Sequence, residues 1–306
     1  MMRRGGVGWQ CGAGMEFDLF LGIDWTGAQP ARAVAVAACD KAGLVRPVWP
    51  CDRYWRRQKV ADWIAAEIAS GRRILAGFDF GFAMPWVEGV GYLDGRVPDV
   101  TDMFALWDLV DQASGDGDDD FAGAAVHDPR LFPSFWINGP TPAHWGDGAT
   151  KRRRVEVVAA ETGAGTPVSL FKLAAAAKQV GKASLAGMRT LKRLRTLTGD
   201  RLAVWPAEQP APGQSAVVEI YPTLFRKQAL GGVRKITGRA AMANAVAHFD
   251  CTLSPDLPEQ FDDHIGDAII TAAGLSRLAG QASAWTPVGM TPDIARREGW
   301  IFGVGA

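Results

Sequence analysis

Three short apolar runs, one helical pattern and a fourth apolar run follow one another between Asp18 and Asp79. No other stretch of the chain constrains the fold as much. Residues 18–25 (DLFLGIDW) are stopped by the turn-forming Thr26-Gly27-Ala28-Gln29-Pro30. Residues 31–38 (ARAVAVAA) alternate, and residues 44–49 follow the Lys41-Ala42-Gly43 turn. Such spacing predicts antiparallel strands joined by tight turns. Residues 56–70 carry Val60, Trp63, Ile64 and Ile68 at helical spacing, and residues 73–79 (RILAGFD) predict a buried strand closed by Gly81 and Pro85. A helix placed before the next strand is what a parallel crossover needs. The pattern predicts an α/β fold, with a mixed sheet of three antiparallel strands then parallel strands, flanked by helices.

Beyond residue 94 the pattern loosens. Residues 101–113 predict a helix with Met103, Phe104, Leu106, Trp107 and Val110 on its apolar face, and residues 114–150 read as long loops. Two basic helices are predicted near 168–180 and 184–198, broken at Gly181. Strand signals return at 202–205 and at 217–221 (VVEIY), the second stopped by Pro222. A long helix is predicted from about 258 to 279, and the chain closes on the apolar 300–304. The core is therefore expected in 15–93 plus 202–306, with 94–201 as a large insertion. Residues 1–14 read as a flexible extension: Arg3 and Arg4 are followed by no apolar stretch of the kind a signal peptide carries.

Charge is distributed unevenly over this plan. Lys+Arg and Asp+Glu number 33 each, a formal net charge of zero. Yet residues 94–128 hold ten Asp and one Arg, whereas residues 151–201 hold twelve Lys/Arg and three Asp/Glu. Lys178 with Lys182, and Arg189 with Lys192 and Arg193, fall at helical spacing and could form a ridge that contacts phosphates. The same ridge could instead pack against the acidic block and be neutralised there. Trp136, Trp145 and Trp205 are candidates for base stacking, against core packing as the alternative.

Several classes are excluded. Cys11, Cys39, Cys51 and Cys251 are scattered, with no CxxC and no His pair at metal spacing, so a disulfide scaffold or zinc ribbon is not expected and the cytoplasm is the default location. No apolar run reaches the roughly 18 residues of a membrane helix. Phosphate-loop, nucleophile-elbow, zinc-protease and dinucleotide fingerprints are absent.

Carboxylates at the ends of apolar elements carry the candidate chemistry. Asp24 ends the first predicted strand, Asp79 ends the fourth, Glu219 lies inside VVEIY, and Asp263 and Asp267 lie four apart on the late helix with His264 between them. An acid inside an apolar strand costs several kcal/mol unless it is paired or bound to metal. Hard oxygen donors of this kind suit Mg²⁺ or Mn²⁺. Asp24 and Asp79 could each be turn residues instead, Glu219 could sit on an exposed edge, and Asp263 could serve the helix dipole.

GIDWTGA at 22–28, AGFDFGFAMP at 76–85, VVEIYP at 217–222, DDHIGDAIITA at 262–272 and EGWIFGV at 298–304 together resemble the domain of unknown function family 429. Members of that family are described as predicted nucleases of the ribonuclease H-like superfamily. The matched patches span both core segments and none of 94–201. The resemblance implies an RNase H-like sheet and metal-dependent phosphodiester hydrolysis, with DNA or RNA as partner. Asp24, Glu219 and Asp267 would be principal ligands, with Asp79 and Asp263 supplementary. The His264/Asp267 spacing resembles the His/Asp-x-x-Asp helix of RuvC-like resolvases, which adds His264 as a ligand. Two rival readings stand beside it. One is an actin/sugar-kinase-like phosphotransferase, because residues 23–27 resemble its first phosphate loop. The other is an RNase H-fold binding module without catalysis.

Overall fold

The computed structural model describes residues 16–173 and 180–306. A single seven-stranded sheet is ordered β5-β6-β4-β1-β2-β3-β7. Strands β1 (Leu19–Asp24), β2 (Ala35–Asp40) and β3 (Leu44–Pro47) form the antiparallel meander. Helix α1 (Arg57–Ala69) crosses over to β4 (Ile74–Phe78), which lies parallel to β1. Strands β5 (Leu202–Val204) and β6 (Ser215–Glu219) continue the parallel half, and β7 (Thr252–Leu253) joins the far edge parallel to β3. The mixed α/β architecture expected from the pattern is present. β2 starts later than predicted because residues 31–34 make a turn, Val34 N donating to Ala31 O.

Period-two alternation divides the sheet between two apolar layers. Leu19, Leu21 and Ile23 pack toward one layer with Ile74, Ala76, Phe78 and Val217. Phe20, Leu75, Ala216 and Val218 pack toward the other. The first layer is covered by α1, α2 (Met103–Ser114) and α4 (Val180–Thr198), whereas α3 (Arg154–Glu161), which falls between the last two in chain order, packs Val155, Val158 and Ala159 into the second layer. Leu106, Trp107, Met188 and Leu191 share one cluster with Ile23 and Ile64. The 94–201 segment therefore supplies nearly half of the buried residues of the first layer. Gly181 is the second described residue of α4, which covers the predicted 184–198 helix and begins four residues earlier, at Val180. A Cβ at Gly181 would lie 2.1 Å from the Leu170 carbonyl oxygen, so the glycine serves a close approach. Residues 168–173 are not helical, and residues 174–179 lie outside the described residues.

The second layer is covered by α5 (Pro222–Leu230), α6 (Arg239–Ala247) and α7 (Asp263–Leu278). α7 begins later than predicted: Asp262 caps it by accepting from Ile265 N at 2.8 Å, and the preceding chain is held by Phe261 N donating to Thr237 O. It lies directly on β1. A Cβ on Gly22 would come 2.1 Å from the Ala268 carbonyl oxygen, so only glycine lets the helix sit this close. Asp24 has the same parity as Phe20 and Gly22 and so leaves β1 on the α7 side, next to the first turn of that helix. Among the described residues no helix is long and apolar enough to cross a membrane.

Candidate functional site

A cleft of about 1370 Å³ opens at the ends of β1, β4 and β6, between α7 and the start of α4. Asp24, Asp79, Glu219, Asp263, His264 and Asp267 all line it, as does Lys182. Sheet register then separates these acids. Ile23 is paired with Phe78, so Asp24 and Asp79 are the next residues along and share one face. Glu219 is paired with Phe78, one residue short of Asp79, and faces the opposite layer.

Asp24 is buried, and its Oδ2 lies 2.6 Å from His264 Nδ1. Its other oxygen accepts no hydrogen bond among the described residues. Burial pushes the Asp24 carboxyl up to about 6, and the nearby Asp267 charge adds to the rise, while the His264 hydrogen bond pulls the other way. The same bond raises the His264 imidazole above its usual value. With Nδ1 engaged, Nε2 is left as the free ring nitrogen of a half-exposed side chain. Asp79 is held well above the carboxylate range, first by burial and then by the charges of Asp24 and Asp267. No hydrogen bond among the described residues offsets this.

Asp267 lies one turn along α7 from His264. Its Oδ1 is bound by Arg226 and its Oδ2 by Lys235. Arg226 is itself buried and also donates to Thr223 Oγ1 at 2.8 Å and Val233 O at 3.2 Å. Asp263 sits in the first turn of α7, where an acid complements the helix dipole, with Lys235 Nζ 3.5 Å away.

Glu219 does not join this group. Arg153 grips both its oxygens, Nη1 at 2.7 Å from Oε2 and Nη2 at 2.5 Å from Oε1, and Phe82 N donates to Oε2 at 3.0 Å. Arg153 also binds Glu156 at 3.0 Å and the Glu298 carbonyl at 3.1 Å. Burial of this network raises the Glu156 carboxyl to about 7. Both Glu219 oxygens are thus engaged by a guanidinium, and the expected pairing of Glu219 with Asp24 is not what the side chain makes here.

The expected basic ridge is neutralised from within. Arg189 binds Asp111 at 2.9 Å and donates to the carbonyls of Gly115, Gly117 and Phe121. Lys192 lies 2.9 Å from both Asp108 and Asp111, Arg193 lies 2.8 Å from Asp62, and Lys151 lies 2.9 Å from Asp94. Lys182 is the member of the ridge that reaches the cleft, and Lys178 lies outside the described residues. Trp205 is fully buried against Trp285 and Phe302 and stacks on core rings rather than bases. Trp136 and Trp145 meet edge to face at 5.3 Å, with Lys172 over the Trp136 ring at 4.5 Å.

Sequence reasoning missed Arg153, Arg226 and Lys235, the counter-ions of the site. Arg153 stands in the KRRR run at 151–154, which reads as a solvated loop. Arg226 had one faint signal, an arginine on the buried stripe of α5 with Pro222 and Phe225. Among the described residues no three His, Cys, Asp or Glu side chains stand as a ready-made metal cage. Among the described residues one oxygen of Asp24 and the carboxylate of Asp79 accept no hydrogen bond, donor chemistry that suits a hard cation. No protein-family model matches the chain, and neither does any curated protein or any solved structure.

Proposed function

We propose that the cleft is the active site of an RNase H-like, Mg²⁺- or Mn²⁺-dependent phosphodiesterase acting on nucleic acid. One observation carries this reading: Asp24 and Asp79 crowd side by side near Asp267, with the carboxyls of both held above their usual range. Like charges gathered in a buried place destabilise the fold unless a cation joins them, and such crowding marks functional sites. The proposed ligands are Asp24 and Asp79, with His264 hydrogen-bonded to Asp24, Asp267 beside them and Glu219 paired with Arg153.

A bound divalent ion would supply Lewis-acid stabilisation of the phosphoryl oxygens and a more acidic water. The chain's own residues do the rest. Asp24 fixes the His264 ring through Nδ1, so that Nε2 is available as a base toward the cleft. Lys182 supplies positive charge at the cleft wall for a substrate phosphate. Arg153 keeps Glu219 silent and holds the wall of the cleft in place.

A second reading has its own observation. Arg226 and Lys235 already neutralise Asp267, as in a binding module that has lost its metal. Cleavage assays on single-stranded and duplex DNA and RNA, with Mg²⁺, Mn²⁺ or chelator, decide between the two. Metal-dependent cleavage lost by roughly 100-fold or more in Asp24→Asn and Asp79→Asn supports the enzyme. Unchanged cleavage by Asp24→Asn overturns the assignment. Thermal stabilisation by ATP and not by nucleic acid would favour the phosphotransferase.

A further inference from the structure

Two cations share Asp267, and they are anchored very differently. Arg226 is buried on α5 and tied to Thr223 and Val233 as well as to the carboxylate. Lys235 rises from the connection between α5 and α6, its side chain is 45% exposed, and its Nζ meets only the Asp267 and Asp263 carboxylates among the described residues. Arg226 is part of the frame. Lys235 is a tethered ammonium with solvent at its back.

The position it holds is significant. The acids of this cleft interact with one another electrostatically, and Lys235 is the cation whose charge is felt by Asp24, Asp79 and Asp267 alike. An ammonium is compact and strongly hydrated, and its long stem lets it leave for water at little steric cost. A divalent ion brings twice the charge to the same oxygens, and it repels an ammonium that stays beside it.

We infer that Lys235 is the built-in counter-cation of the metal-free cleft, displaced from Asp267 into solvent when a divalent ion binds at Asp24 and Asp79. This rests on the metal reading above and adds a competitor that sets metal affinity. Arg226 stays in place, so one oxygen of Asp267 remains neutralised and the other becomes available to the ion or to its water.

The test is a Mn²⁺ titration of the full chain, followed by paramagnetic resonance of the free ion, on wild type, Lys235→Met and Lys235→Arg. Removing the competitor should tighten Mn²⁺ binding about 10-fold in Lys235→Met, whereas Lys235→Arg, which keeps a permanent cation, should not bind more tightly than wild type. A second readout needs no variant: Lys235 labelling by acetic anhydride, measured by peptide mass spectrometry, should rise on addition of Mn²⁺. Equal affinity in all three proteins with unchanged Lys235 labelling would overturn the displacement and leave the metal site standing. No Mn²⁺ binding by any of them would overturn the metal reading and the inference with it.

Discussion

Arg153, from the basic run ahead of α3, closes over both carboxylate oxygens of Glu219 at the end of β6. Both side chains are buried, and Phe82 N completes the shell of the carboxylate. The pair joins the 94–201 segment to the parallel half of the sheet.

Breaking such a pair from one side leaves a buried charge without a partner. Arg153→Met should destabilise the protein by about 3–5 kcal/mol. Glu219→Gln keeps the shape and should leave Mn²⁺ affinity within about twofold, whereas loss of even a group that only orients a ligand typically costs about 10–100-fold. Urea unfolding and Mn²⁺ titration of the two variants check this. A large loss of Mn²⁺ affinity in a folded Glu219→Gln protein would restore Glu219 as a ligand.

Asp24 makes stability depend on pH in a defined direction. Its folded carboxyl is near 6, above the ordinary carboxylate value, so the folded state holds that proton more tightly than the unfolded state does. The associated stabilisation is complete below about pH 4 and is lost as pH rises through 6. His264, raised by its bond to Asp24, acts in the same direction, its contribution being lost as pH rises through its own raised value. Two pH units correspond to about 3 kcal/mol. The stability of Asp24→Asn relative to wild type should therefore improve by about that much between pH 4 and pH 7.5. Denaturant melts across the range measure it, and a pH-independent difference between the two proteins would refute the assignment.

Charge reversal along the chain has a structural use. Arg189, Lys192 and Arg193 are spent on Asp111, Asp108 and Asp62, so they serve packing of α4 against α1 and α2. Arg189→Ala should cost roughly 1 kcal/mol through its part-buried carbonyl and carboxylate partners. Alanine at Lys192 and Arg193 should leave the salt dependence of nucleic-acid binding unchanged. Each true phosphate contact would instead lower the logarithmic salt slope by about 0.9. Fluorescence anisotropy at several salt concentrations distinguishes the outcomes.

Gly22 governs how α7 reaches the site. Any Cβ there overlaps the Ala268 carbonyl and crowds Thr271. Gly22→Ala should destabilise by several kcal/mol or prevent folding, the larger end of what single substitutions do. Near-wild-type thermal stability would mean that α7 does not lie on β1 as described.

Much of the fold was legible because alternation, turns and helical spacing are local. The meander, α1 and β4 follow directly from residues 18–79, and the carboxylates at the strand ends stand out against apolar neighbours. What local patterning could not supply was register. VVEIY marks Glu219 as unusual, but only pairing with Phe78 sends it to the face away from Asp24. The same limit hid the counter-ions: Arg153 and Lys235 come from connecting segments, and nothing nearby in sequence says which acid each will meet. The neutral total charge resolves in space as it could not along the chain. The acidic and basic blocks face each other across α2 and α4, and the cleft keeps its own acids and bases.

The central claim is that Asp24 and Asp79 form one end of a divalent-cation site. A crystal soaked in Mn²⁺ and read by anomalous scattering tests it most directly. One ion should be bonded to carboxylate oxygens of both Asp24 and Asp79 at about 2.0–2.3 Å, with Lys235 moved off Asp267 and Arg153 still on Glu219. An empty cluster at millimolar Mn²⁺, or an ion held by Glu219 in place of Arg153, would contradict it.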